Sequence, residues 1–181
     1  ALPAAGPVLV EGSFEKPIRI YDVGSAKKVA EVFKRIGYRL DNVRIKGEVP
    51  RVFLASLPDD LRKIRHINTR KLMFIKTALP LILHVNELIL SDRSRIDALW
   101  SKSRKGVVLS AAESAWVVDK AAEYNLKKFS FRALLARVDV IPPSLALAQS
   151  AEESGWGTSR FVREGNAVFG QWTFSDSGNL E

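Results

Sequence analysis

Two adjacent carboxylates, Glu152 and Glu153, end the stretch Ile141-Pro-Pro-Ser-Leu-Ala-Leu-Ala-Gln-Ser-Ala-Glu-Glu-Ser-Gly-Trp-Gly157. A carboxyl group that keeps its proton beside a leaving oxygen is a general acid, and carboxyl chemistry of this kind cuts glycosidic bonds. A glutamate pair at a helix end is equally the composition of a solvated surface, so the pair alone decides nothing. The residues after it narrow the choice. Trp156 stands between Gly155 and Gly157, and Gly165-Asn-Ala-Val-Phe-Gly-Gln-Trp172 reads as an extended segment or loop carrying aromatics and amides. Indole faces stack on pyranose rings, and amides pair with hydroxyl and acetamido groups. Gln149, Asn166, Gln171 and Trp172 are therefore candidate sugar-binding residues, although the same amides could simply hold the loop. Trp156 is either a sugar platform or a core aromatic beneath the helix, and Phe169 reads as core.

A helix must deliver these groups. Pro142 and Pro143 lack amide hydrogens and fix φ, which suits a first helical turn, and Gly155 suits a left-handed stop, so the spacing predicts a helix over 143–154. Steps of about 100° place Gln149, Glu152 and Glu153 on one side and Leu147, Ala151 and Ser154 on the other. Both glutamates flank Gln149, so helical geometry does not choose between them. A helix this apolar is expected to be buried. Burial and the negative end of the helix dipole would both disfavour the charged carboxylate and favour a proton donor.

Ala148-Gln-Ser-Ala-Glu-Glu-Ser-Gly-Trp-Gly-Thr-Ser159 resembles the catalytic motif of the bacterial glucosaminidases of glycoside hydrolase family 73. Asn166-Ala-Val-Phe-Gly-Gln-Trp172 is similar to the element that follows it there, and its Gln-Trp ending resembles the Bax-like bacterial branch. The likeness extends more weakly back to about Leu72. What the resemblance implies is a peptidoglycan hydrolase cleaving β-1,4 glycosidic bonds at N-acetylglucosamine, exported to the periplasm or secreted, with peptidoglycan strands as partner. Glu153 matches the family's general acid, and Glu152 falls on a variable position. The resemblance also implies a mainly α, lysozyme-like domain with a small, incomplete β element. In the family, a β-hairpin and a further helix follow the counterpart of this chain's last residues and carry remaining groove residues, so the expectation is that the C-terminal part of the cleft is missing or completed otherwise. The alternatives are a lytic transglycosylase, whose lysozyme-like enzymes also place a glutamate before a serine, and a non-catalytic wall-binding module.

With 181 residues, one helical domain over 61–181 and an N-terminal extension over 1–60 are expected. The absence of cysteine excludes disulfides and thiolate metal sites. The opening Ala1-Leu-Pro-Ala-Ala-Gly-Pro has no charged region before an apolar core and reads as a processed end or a chosen boundary. Net charge is +8, and residues 60–105 carry the excess, with 11 basic and 4 acidic groups. That middle is either a solvated helix face or a surface for anionic wall polymers; no nucleic-acid motif accompanies it.

Val8-Leu-Val10 and Ile18-Arg-Ile-Tyr21 read as strands, and Ser25 as the cap of a helix over 26–37 with Val29, Val32, Phe33 and Ile36 inward. Residues 41–58 read as irregular. From Thr69 to Ser91 the apolar pattern predicts a central buried helix, kinked or divided at Pro80 and continuing to Trp100. Lys76, Pro80, His84 and Glu87 interrupt it, so it is not taken as a membrane span. His84 and Glu87 read as a structural pair with no third ligand near, and no metal or other cofactor is expected. Ser110-Ala-Ala-Glu113 fits a capping box opening a helix whose inward residues would be Ala115, Trp116, Val118 and Ala122. A shorter amphipathic helix follows over 129–138.

Overall fold

The computed structural model describes residues 8–10, 18–160 and 162. Their elements run β1 (Val8–Val10), β2 (Ile18–Tyr21), α1 (Ala26–Arg35), α2 (Leu40–Lys46), β3 (Val52–Leu54), a 3-10 turn at Leu61–Lys63, α3 (Ile67–Arg104), α4 (Ala111–Glu123), α5 (Phe131–Leu135) and α6 (Pro143–Glu153). This is a mainly helical fold with a small open sheet, as the lysozyme-like expectation requires. The sheet has the order β1-β2-β3, antiparallel between the first pair and parallel between the second. Residues 41–58 are not irregular: they supply most of α2 and all of β3. Val52 and Phe53 are buried, and the short apolar run pairs with β2 in the register Ile20 to Phe53. A strand of three residues is too brief to show alternation, which is why its sequence looks shapeless.

The chain divides into two compact units, 1–82 with 143–181, and 83–142. In the first, α1 is held at its start by the Ser25 side chain, and the Ala26 amide donates to Asp60 Oδ1 at 2.7 Å. Val29, Val32 and Phe33 of α1 pack with Tyr21, Tyr38, Val52, Leu61 and Met73. A second cluster joins Phe74, Ala78 and Ile82 of α3 to Ala146 and Ala151 of α6, with Leu57, Leu147 and Trp156 against it. In the second unit, Ile96, Leu99, Val117, Leu134 and Val138 form the core. Arg93 Nη1 donates to the carbonyls of Leu135 and Val138 at 2.6 and 2.7 Å, closing the turn after α5. Asn86 then clamps the residue before Pro142: its Nδ2 donates to the Ile141 carbonyl at 2.8 Å, and its Oδ1 accepts from the Ile141 amide at 3.2 Å.

Helix α3 runs undivided through Pro80. Only one of its faces is buried, contrary to the expectation of a helix covered all round. Phe74 and Ile96 are sealed, whereas Leu72, Leu81, Val85, Leu88 and Leu90 are exposed. By length and composition alone this helix could cross a membrane: an 18-residue window has mean hydropathy 1.5, with 28% of it buried. The polar interruptions do not bring it below that composition. His84 Nδ1 lies 3.5 Å from Glu87 Oε2, the intrahelical neighbourhood expected of the pair. In α4 the capping box forms as predicted; the buried residues are Val117 and Ala121, and of the predicted stripe Trp116 packs against this core while Ala115, Val118 and Ala122 are exposed.

Candidate active site

Helix α6 spans Pro143–Glu153, within the predicted bounds, but it is not sheathed in protein. Ala146, Ser150 and Ala151 are buried and Leu145 is exposed, so a single stripe of small residues faces Phe74, Ala78 and Ile82. Small side chains let the helix lie close to α3; Leu147 packs half-buried at the edge of that stripe, while Leu145 and Ala148 remain in solvent. Gln149, Glu152 and Glu153 are all exposed on the opposite side, together as the helical spacing requires. The expectation that this helix end would be buried fails for this reason. Among the described residues, no side chain pairs with either carboxylate, and both stand free at the C-terminal end of the helix.

What lies directly beyond Glu153 is tightly built. The Trp156 amide donates to the Ala151 carbonyl at 2.8 Å and the Gly155 amide to the Glu152 carbonyl at 3.2 Å, the two crossed bonds of a Schellman stop. Gly155, Trp156 and Gly157 then take positive φ in succession, 55°, 60° and 77°. For tryptophan that conformation is unfavourable by about 1 kcal/mol or more and must be held by its surroundings. Ser154 holds it. Its buried hydroxyl donates to the Ser150 carbonyl and accepts from the Gly157 amide at 2.9 Å, while its own carbonyl accepts from the amides of Thr158 and Ser159.

The reversal carries Trp156 back over α3. Its ring meets Phe74 edge-on, with centroids 5.9 Å apart, and the Lys71 ammonium lies 4.6 Å from its centroid. Trp156 is thus a partly buried aromatic of the α3–α6 cluster, and Lys71 is a cation on its ring. Gly157 is fixed by contact as well as by φ: a Cβ there would lie 2.9–3.0 Å from Leu61, Leu57 and Phe74. The structure therefore brings Gln149, Glu152 and Glu153 to one helix face and sets Trp156 just beyond it. Asn166, Gln171 and Trp172 lie outside the described residues.

Sequence reasoning overlooked the buried serine pair and Lys71. The i, i+4 spacing of Ser150 and Ser154 on the side away from the carboxylates was a usable signal, since a serine hydroxyl on a helix commonly bonds the carbonyl four residues back. Lys71 gave no local signal, because its partner lies 85 positions on in the chain.

This helix, its exposed acid pair and its glycine-flanked tryptophan lie within residues 128–179, which match the family model described as mannosyl-glycoprotein endo-beta-N-acetylglucosaminidase. The chain is also similar to Protein bax of Escherichia coli (strain K12), with 40% identity over 122 residues, which is 64% of this chain and 43% of the relative. The chain spans less than half of that relative's length. No solved structure matches the chain. The glucosaminidase likeness and the Bax-like branch are thus found at the level of family sequence.

Proposed function

We propose that this chain carries the catalytic segment of an exported peptidoglycan hydrolase that cleaves β-1,4 glycosidic bonds at N-acetylglucosamine. The observation that carries this reading is the position of Glu153: a solvent-facing carboxyl at the end of α6, set against a rigid Ser-Gly-Trp-Gly turn within the glucosaminidase-like residues. Glu153 is the general acid, donating its proton to the leaving oxygen as the glycosidic bond breaks. Glu153 faces solvent, so it is substrate binding that excludes water from the carboxyl at the moment of transfer. Gln149 shares its helix face and hydrogen-bonds the sugar or the acid. Trp156, set just beyond that helix face, and Asn166, Gln171 and Trp172 complete the sugar contacts. The second catalytic group is another carboxylate or the substrate's own acetamido group. In this reading residues 61–181 carry the catalytic domain, 1–60 an extension, and the basic middle of the chain faces anionic wall polymer.

Analysis of the ends released from purified peptidoglycan tests the proposal. New reducing N-acetylglucosamine ends are the expected product. Anhydro-muramic ends would assign a lytic transglycosylase instead, and binding to the wall without release of any new end would assign a wall-binding module.

A further inference from the structure

Away from α6, in the first compact unit, the C-terminal end of α1, the turn to α2 and the opening of α3 enclose a groove of about 560 Å³. That volume lies within the range of small-molecule sites. Its walls are apolar, through Phe33, Leu72 and Met73, and its cations are Lys34, Arg39 and Lys76. The single acid lining it, Asp41, lies 3.6 Å from Arg39. Lys76 has no such partner among the described residues. Its ammonium rests against two rings instead, 4.5 Å from the centroid of Phe33 and 5.1 Å from that of Tyr38. Stacking on aromatic faces offsets part of an ammonium's lost hydration but supplies no counter-charge.

We propose that this groove binds an apolar group ending in a carboxylate, with the anion beside Lys76 and the apolar part against Phe33, Leu72 and Met73. Three observations converge on that class. The half-buried ammonium calls for an anion, the exposed Leu72 offers apolar surface next to it, and Lys34 and Arg39 make the surrounding field positive. Burial lowers the Lys76 pKa, the direction expected of a charge short of a partner. Burial also pushes the Tyr38 hydroxyl well above the ordinary tyrosine value, so no phenolate competes with an incoming anion. Two sources carry that one chemistry, an acyl chain and the carboxyl terminus of a peptide, and separate titrations tell them apart. None of these residues lies in the 128–179 segment.

Met73 is the single methionine of the chain and lines the groove, so a methyl-13C-methionine label provides a resonance at the site. The whole chain is titrated separately with octanoate, with N-acetyl-dialanine and with octanol. A saturable shift of the Met73 methyl with at least one carboxylate, at least tenfold weaker with octanol, is expected. Saturation by octanoate alone assigns an acyl chain, and saturation by the peptide alone a chain terminus. Lys76→Met keeps an unbranched stem over the rings and should weaken binding tenfold or more, whereas Lys76→Arg should retain it. Leu72→Gln, at a half-exposed position, tests the apolar wall without threatening the core and should weaken octanoate several-fold. The proposal is overturned if neither carboxylate gives a saturable Met73 shift, or if Lys76→Met binds as the unsubstituted chain does.

Discussion

The Ser154 hydroxyl accepts the Gly157 amide hydrogen at 2.9 Å, and both residues are buried. Ser154→Ala strands that amide without a partner, which costs about 1–3 kcal/mol. Urea unfolding should show the loss as a lower midpoint at an unchanged slope. The orientation of the Glu153 backbone depends on the same turn, so any wall-degrading activity should fall with it even at temperatures where the variant remains folded.

Gly157→Ala should be worse. The added methyl meets Leu61, Leu57 and Phe74 at 2.9–3.0 Å and occupies a φ of +77°. Overpacking and backbone strain together cost about 2 kcal/mol or more. Gly155→Ala has a similar φ of +55° but meets only the Thr158 hydroxyl at 3.4 Å, and should cost about 1 kcal/mol. Thermal melts of the two variants side by side give the ordering, and equal losses would show that the close contacts at Gly157 relax freely.

Glu153→Gln preserves shape at an exposed position, so stability should stay within about 0.5 kcal/mol of the parent while hydrolysis of peptidoglycan is abolished. Glu152→Gln should reduce activity far less. Zymograms on purified wall check both, and an active Glu153→Gln protein would remove Glu153 from its assigned role.

Glu113 belongs to the α4 capping box and accepts from both Lys102 and the Ser110 amide. The Lys102 hydrogen bond, followed by the Ser110 amide, holds its carboxyl below the usual glutamate value. A depressed carboxyl contributes stability that is fully present above the unfolded value of about 4.3 and is lost as pH falls through the lower folded value. Glu113→Gln should therefore flatten the acid side of the melting-temperature profile, by little because the group is solvent-screened. Added salt should narrow the difference further.

Arg93 caps two carbonyls with one nitrogen, and its side chain is partly exposed. The two hydrogens of that nitrogen lie in the fixed guanidinium plane, whereas a lysine ammonium sits on a flexible stem with no fixed plane and must be ordered to serve both carbonyls. Arg93→Lys should destabilise by about 1–2 kcal/mol, and hydrogen exchange should rise first around Leu135–Val138.

The readable parts of the chain were those where a single residue sets a local rule. Ser25, Ser110 with Glu113, the proline pair and Gly155 each announced a helix boundary, and each boundary lies where its residue placed it. Side-chain periodicity was a poorer guide to burial. Leu72 and Leu81 share the apolar composition of Phe74 and Ala78 yet remain exposed, because which face is covered depends on what packs there. The short β3 and α2 were invisible for a different reason: they are held by pairing and packing with distant segments. At the site, the sequence placed the acid pair with Gln149 correctly on one face, but it misjudged their environment, because a helix of small residues needs only a narrow seam of contact.

The backbone from Gly155 to Gly157 has consequences for handedness. Glycine has no chirality, so two of the three positions accept a positive φ without regard to the hand of the chain, and only Trp156 resists it as an L-residue. Synthetic replacement of that one residue by its D-enantiomer would relieve the torsion and turn the indole away from Phe74. The wild-type stereocentre therefore trades backbone ease for the placement of a ring, and the Ser154 hydrogen bonds hold the turn against that one carbon's preference.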